Sequence, residues 1–409
     1  MIHFTKTLSL GLVTFLVITG VFILEKKGDT GQSNGMIFEF PKLKGSYGVG
    51  VTKRYLIDAH RKEQYNLKAQ RELMAYIWYP AKTNKNSLVA YWQDGVDEIK
   101  ASLKRKGYLD QDLDILNKVY SHATPNADVL AKDYPYPVVL FSHGYLGCEP
   151  PMYTAFCEEL ASHGYIVVSI AHTYYATEVK FPDGRIIKPA PEKYAQQTMP
   201  SKQEEELWVD DIKFVLDFLD ICNKNSHDTF YNIFDLKKVG IVGHSMGGLA
   251  AFELCLKDSR FQAGVSLDSL PFENNIIKNL NKPFMVILAQ ETVDSMYASD
   301  QELAEKMKVS IADIIQMRKM NEKMFAAEKN NYEEIAKSKN VSCVAIPDIR
   351  HMGFSDLLLF KELSIYKNHK NILDMDAGVG STDGYKTINL INEHIVSFFD
   401  KNLKNKTVG

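Results

Sequence analysis

The chain has 409 residues, 45% of them hydrophobic and 24% charged, with a formal net charge of −3. That is enough chain to bury a large core, and the charge balance supplies no basic field to draw nucleic acid. Its five cysteines (148, 157, 222, 255 and 343) show no Cys-x-x-Cys spacing or accompanying histidine pair, so neither a metal site nor a redox motif is legible. No cofactor is implied, and an odd count leaves the redox compartment open.

Leu8 to Leu24 is an uncharged apolar run, preceded by Lys6 and followed by Lys26 and Lys27. It reads as a signal peptide or membrane anchor, and residues 28–35, rich in Gly, Ser and Asp, detach it from the rest of the chain. Residues 1–35 are therefore expected to be an export or anchor segment with a linker. Residues 36–409 are expected to form one extracytoplasmic catalytic domain.

Beyond the linker, buried-strand runs alternate with helical patterns, which predicts a mostly parallel central sheet flanked by helices. Leu73–Tyr79 reads as an early strand closed by Pro80, Val138–Phe141 as a core strand and Ile166–Ile170 as the next, with a helix over 151–162 between the last two. Val239–Val242, Gly264–Leu267, Phe284–Leu288 and Val341–Ile346 are the later strands, and the C-terminal stretch carrying Ile388, Ile391 and Ile395 is an amphipathic helix. Near-continuous apolar strands of this kind are buried on both faces. Two charged, helix-periodic insertions, 84–132 and 295–338, interrupt the rhythm. The second carries Met296, Met307, Met317, Met320 and Met324, which predicts core packing or, alternatively, an adaptable apolar rim for lipid or membrane contact.

The most informative stretch is Gly243-His244-Ser245-Met246-Gly247, placed where a buried strand runs into a helix. That is the pattern of a nucleophile elbow, in which small residues two positions either side of the serine let the backbone turn sharply. A serine hydroxyl needs a histidine to take its proton and a carboxylate to orient that histidine, and with this elbow the chain order is Ser, acid, His. Of the downstream histidines, His394 belongs to the amphipathic C-terminal helix and His369 to a Lys/Asn run. His351 alone comes directly after a buried strand, so it is the predicted base. For the acid, Asp268 after Gly264–Leu267 competes with Asp294 and Glu291 after Phe284–Leu288, and residue chemistry leaves that choice open. The oxyanion hole needs two backbone donors. Met246 supplies one by position, and Tyr145, after Gly144, is the candidate for the other. His143 and His244 are read as structural.

Together these residues resemble the plasma-type (group VII) platelet-activating-factor acetylhydrolase family and its bacterial relatives. The resemblance runs through Gly45–Gly50, Arg71–Leu73, Trp78–Ala81, Phe141–Gly144, Leu160–Tyr165, Gly243–Gly248, Leu267-Asp268, and His351 with Phe354 and Asp356. It covers roughly residues 45 to 400. It implies an α/β-hydrolase fold, a Ser245–Asp268–His351 triad, an oxyanion hole at Tyr145 and Met246, and hydrolysis of a short or oxidised sn-2 acyl chain of a phospholipid without a metal. The alternatives are a broad short-chain carboxylesterase and, more remotely, a non-catalytic binding protein on the same scaffold. The loop Tyr145–Pro151 is about one residue longer than the family pattern and rich in proline.

Overall fold

The computed structural model describes residues 37–404, apart from 92–95, 97–99, 101–102, 105–106, 132–134, 190–200 and 369–373. The expected export or anchor segment and His369 lie outside the described residues. Among the described residues no helix is long and apolar enough to cross a membrane.

A nine-stranded sheet organises the domain. Its strands are β1 (Gly48–Lys62), β2 (Gln70–Ala81), β3 (Thr124–Pro125), β4 (Tyr136–Ser142), β5 (Ile166–Ala171), β6 (Phe234–His244), β7 (Phe261–Leu267), β8 (Phe284–Ala289) and β9 (Val341–Ile346). In space they run β9-β8-β7-β6-β4-β5-β2-β1-β3. The six from β9 to β5 pair in parallel, whereas β2 joins β5 and β1 joins β2 antiparallel. The early strand predicted at Leu73–Tyr79 is thus longer than expected and belongs to the antiparallel part. Its partner β1 has no counterpart among the expected strands, because its outer half alternates with polar residues and lacks a continuous apolar run.

Strand periodicity sorts the core onto two faces. Val138 and Leu140 of β4 pack with Trp208 and Ile212 of α2 (Lys202–Lys224) and with Phe252 of α3 (Met246–Lys257). Val139 and Phe141 pack the other way, against Phe156 and Leu160 of α1 (Thr154–Ser162) and against Ile391 and Phe399 of the C-terminal helix Gly384–Leu403. All seven residues of β4 and all six of β5 are buried, as parallel central strands require.

Chain order reverses between β6 and β4, which are neighbours in the sheet. At such a switch point the loops leaving the two strands diverge to opposite faces and open a crevice beyond their carboxyl ends. The elbow leaves β6 there, and the loop 143–149 leaves β4.

The two insertions differ. After β8 the chain forms α4 (Gln290–Tyr297), α5 (Asp300–Met307), α6 (Ile311–Met320) and α7 (Glu322–Ile335). Capping boxes at Ser299/Glu302 and Ser310/Asp313 start α5 and α6. Within 84–132, Val96, Lys100, Leu103, Lys104 and Asp110–Leu113 are helical, a 3-10 turn covers Asp114–Lys118, and short strands run over Val89–Ala90, Val119–Ser121 and β3. Val119 and Tyr120 pair with Phe38 and Glu39, and this cross-strand pairing holds the end of the insertion extended.

Candidate active site

Ser245 sits between β6 and α3 with φ 55° and ψ −118°, a conformation outside both helix and strand. The glycines around it leave no room for a side chain. A Cβ on Gly243 would lie 1.9 Å from the carbonyl oxygen of Gly247, and one on Gly247 would lie 2.1 Å from that of Ser142 on β4. The crowding that the elbow pattern predicts is therefore present on both sides of the turn. Ser245 N–H donates to Leu267 O at 3.0 Å, which fastens the elbow to the end of β7.

Asp268 comes directly after β7, with φ 51°. Its own N–H donates to Ile287 O at 2.7 Å, and its Oδ1 accepts from Ala289 N–H at 2.8 Å. With one carboxylate oxygen held by the end of β8, the other is directed to His351, whose Nδ1 donates to Oδ2 at 2.8 Å. The competing acids are engaged elsewhere. Asp294 accepts from Gln290 on its own helix at 2.8 Å, and Glu291 forms ion pairs with Arg350 at 3.1 Å and Lys306 at 3.2 Å. His394 lies on the C-terminal helix and is not among the residues that line the cavity.

His351 begins a 3-10 turn after β9. Its loop is tied to the helix beyond the loop 143–149 by Asp356, whose carboxylate accepts from the N–H groups of Thr154 (2.9 Å) and Ala155 (3.1 Å). Burial pushes the Asp356 carboxyl up to about 8. In sequence this residue registers only as part of a resemblance; its tie to residues 154 and 155 is a long-range contact.

Tyr145 and Met246 flank the same space. Met246 opens α3, where the first N–H groups have no acceptor within the helix. On the other loop the Gly144 and Leu146 N–H groups donate to Tyr153 Oη and Tyr175 O, each at 3.1 Å, whereas that of Tyr145 has no intramolecular acceptor among the described residues. A Cβ on Gly144 would sit 3.1 Å from both Cys148 Sγ and His244 Nδ1, so the close backbone approach depends on glycine. The Tyr145 hydroxyl donates to Glu204 at 3.0 Å.

The histidines read as structural are engaged as such. His143 is fully buried and donates from Nδ1 to Gly144 O at 2.7 Å, while its Nε2 accepts from His172 N–H at 3.1 Å. Burial, and then the neighbouring His172, press its pKa down to about 3. Beneath the loop lies a buried polar network. The Ser142 hydroxyl meets His172 Nε2 at 3.0 Å, His172 Nδ1 meets Asp211 at 2.9 Å, and Arg71 grips both oxygens of Asp211 (3.1 and 2.6 Å). Arg71 reaches on to Glu63 at 2.8 Å. No sequence pattern brings residues 71, 142, 172 and 211 together, since they come from four separate segments of the chain.

Ser245, Asp268, His351, Tyr145 and Met246 all line one cavity of about 1200 Å³. Its far wall is the second insertion, with Met296, Met307, Met324 and Phe325 among the lining residues. Met317 instead packs with Leu303 and Ile314 in a small satellite core, and Met320 is 60% exposed, so the methionine-rich segment divides between packing and rim. Glu328 of α7 also lines the cavity; burial, and then the charge of Asp268, push its carboxyl up to about 8. All five cysteines are free, and all but Cys343 are buried, as apolar fillers are.

A parallel sheet with its serine on a strained strand-to-helix turn and a histidine–carboxylate pair arriving from later loops defines an α/β-hydrolase. The family model "Dienelactone hydrolase family" matches residues 123–344, and "Platelet-activating factor acetylhydrolase, isoform II" matches residues 33–206. The chain belongs to the dienelactone hydrolase family and is a platelet-activating-factor-acetylhydrolase-like member of the α/β-hydrolases. It is 28% identical to the platelet-activating factor acetylhydrolase of Canis lupus familiaris over 202 residues, 41% of this chain and 45% of that one. With the Cavia porcellus protein of the same name it shares 24% identity over 277 residues, 60% of this chain and 59% of the relative, so the chain spans about half the length of these relatives. Among solved structures, a ferulic acid esterase from Streptomyces cinnamoneus superposes with a TM-score of 0.67 at 23% identity, covering 91% of this chain and 95% of that one, a likeness of fold.

Proposed function

We propose that this chain is a serine carboxylic-ester hydrolase in which His351 deprotonates Ser245, Asp268 orients and charge-stabilises the imidazole, and the N–H groups of Tyr145 and Met246 receive the oxyanion. The observation that carries this reading is the His351 Nδ1–Asp268 Oδ2 bond of 2.8 Å at the wall of the cavity that Ser245 also lines. With Nδ1 committed as donor to the carboxylate, neutral His351 presents Nε2 as the free base. Attack on the ester carbonyl forms an acyl-enzyme and releases the alcohol. Water, activated by the same nitrogen, then releases the acid.

The proposed substrate is a phospholipid with a short or oxidised sn-2 acyl chain, presented at a membrane surface outside the cytoplasm. The named relatives and the apolar cavity wall of Met296, Met307, Met324 and Phe325 support it. A broad carboxylesterase is the second reading, favoured by a cavity far larger than an acetyl group needs. Hydrolysis of a short-chain nitrophenyl ester by the wild type and by Ser245→Ala tests the mechanism; full activity in the variant refutes it. Comparing an oxidised phospholipid with the simple ester separates the two substrate readings.

A further inference from the structure

The loop proposed to hold the oxyanion and the loop that carries the proposed base are joined by a chain of hydrogen bonds whose directions are fixed by elimination. The main-chain oxygen of His351 can only accept, so His244 Nε2, 3.0 Å away, carries a proton and donates to it. His244 is fully buried, and burial together with the adjacent His351 holds its pKa well below the usual histidine range, so the ring is neutral. Its Nδ1 is then a bare acceptor, and the Tyr153 hydroxyl at 2.8 Å donates to it. With its proton committed there, the Tyr153 oxygen accepts the Gly144 N–H at 3.1 Å. The Cys148 thiol also touches this hydroxyl but is the weaker partner, able to donate to the oxygen's second lone pair.

Both side chains of this chain of bonds are 0% exposed, so water does not replace a broken link easily. The Tyr153 ring packs on Phe141 at 4.8 Å, and the His244 and His351 rings lie 4.6 Å apart. Gly144 immediately precedes Tyr145, and His244 immediately precedes Ser245. The links therefore connect the three pieces of backbone whose relative placement matters most for acyl transfer.

We infer that Tyr153 and His244 are positioning residues, a buried strut that sets the spacing between the Tyr145 N–H, the Ser245 elbow and the main chain of His351. The inference rests on the esterase reading above. Neither residue touches the reacting atoms; each acts by fixing groups that do. Asp268 holds the imidazole from its ring side, and the strut holds the same residue through its carbonyl. Oxyanion donors work only when the developing charge falls within hydrogen-bond distance, and a misplacement of about 1 Å costs on the order of 10²-fold.

The test uses the full chain with Tyr153→Phe, His244→Gln and the double variant. The glutamine amide nitrogen reproduces the donor to His351 O, but the acceptor that meets Tyr153 is lost, so both single changes cut the Tyr153–His244 link, and Tyr153→Phe also removes the acceptor of the Gly144 N–H. Measurements are kcat and KM on a short-chain nitrophenyl ester, the rate of inactivation by an organophosphonate, and the melting temperature. Each single variant is expected to lose roughly 10- to 100-fold in kcat and in inactivation rate with KM within about 2-fold. The double variant is expected to be no worse than the poorer single variant by more than about 3-fold.

Wild-type kcat in Tyr153→Phe, a loss confined to KM, or losses that multiply in the double variant would each overturn the strut. If Tyr153→Phe does not fold, His244→Gln alone is held to the same kcat and KM criteria. Organophosphonate labelling that is absent in the wild type, or undiminished in Ser245→Ala, sinks the esterase reading itself. Ser245-dependent labelling with an unimpaired Tyr153→Phe sinks only the strut.

Discussion

His351 Nδ1 and Asp268 Oδ2 lie 2.8 Å apart, and the second oxygen of Asp268 is held by the Ala289 N–H at 2.8 Å, so the carboxylate has one orientation toward the ring. Asp268→Asn keeps the shape but offers the ring an amide, which allows the wrong tautomer. We expect kcat to fall by about 10³- to 10⁴-fold with little change in melting temperature. Asp294→Asn, whose carboxylate accepts from Gln290 in its own helix rather than from His351, is expected to stay within about 2-fold. Nitrophenyl-ester kinetics on the two variants check the pair, and a reversal of their effects would reassign the acid.

Gly247 faces Ser142 O so closely that even a methyl group forces α3 away from β4. Gly247→Ala is expected to cost about 1–3 kcal/mol of stability, visible as a lower denaturant midpoint. An unchanged midpoint would show that the elbow is looser than the contact implies.

Arg71 and Asp211 are both 0% exposed, and the guanidinium is bidentate on the carboxylate. Removing only the cation leaves a buried charge that Arg61, partly exposed, compensates in part. Arg71→Met is expected to destabilise by about 3–5 kcal/mol, and adding Asp211→Leu to recover a large part of that loss. Denaturation of both variants measures the coupling; additive losses would argue against it.

Three histidines at the site, His143, His172 and His244, are fully buried with pKa values pressed down mainly by burial. A histidine neutral in the fold but ionised when unfolded makes the unfolded state bind more protons below its ordinary pKa. Stability then falls as pH drops. For His143 the window runs from about 6.5 down to about 3, and within it this group contributes a slope of about 1.4 kcal/mol per pH unit. Because the raised carboxyls of Asp356 and Glu328 act in the opposite sense over the same range, the histidine contribution is read as a difference: from pH 7 to pH 4.5 the wild-type urea midpoint should fall relative to that of His143→Gln, and a constant difference would contradict the buried neutral state.

Glu328 behaves in the opposite sense. Its carboxyl is raised to about 8 in the fold, so its contribution is intact below the unfolded value near 4.5 and is lost as pH rises through about 8. Glu328→Gln is expected to melt at a higher temperature than the wild type at pH 8.5 and at the same temperature at pH 4.5. A gap that fails to change with pH would mean that the carboxyl does not titrate in this range.

Local pattern alone was enough for the parallel strands, the elbow glycines and a helix after the elbow, expected from near Gly248 and found from Met246, because burial on both faces and a sharp turn each leave a short-range mark: continuous apolar runs such as Val138–Phe141, and small residues two positions either side of Ser245. The placement of His351 after a buried strand was legible for the same reason. The choice among Asp268, Asp294 and Glu291 was not, because all three lie close behind strand ends and differ only in what their side chains meet: an imidazole, a glutamine one turn away, and two cations. Nor could composition foretell the short strands inside 84–132, since each exists through its partner: Val119–Ser121 pairs with Phe38–Glu39 and Val89–Ala90, and β3 pairs with β1. The network around Arg71 and Asp211 and the strut through Tyr153 and His244 belong wholly to tertiary structure. Each member satisfies a hydrogen-bonding group from a distant segment, and a buried polar group carries no periodic signature of the partner it will find.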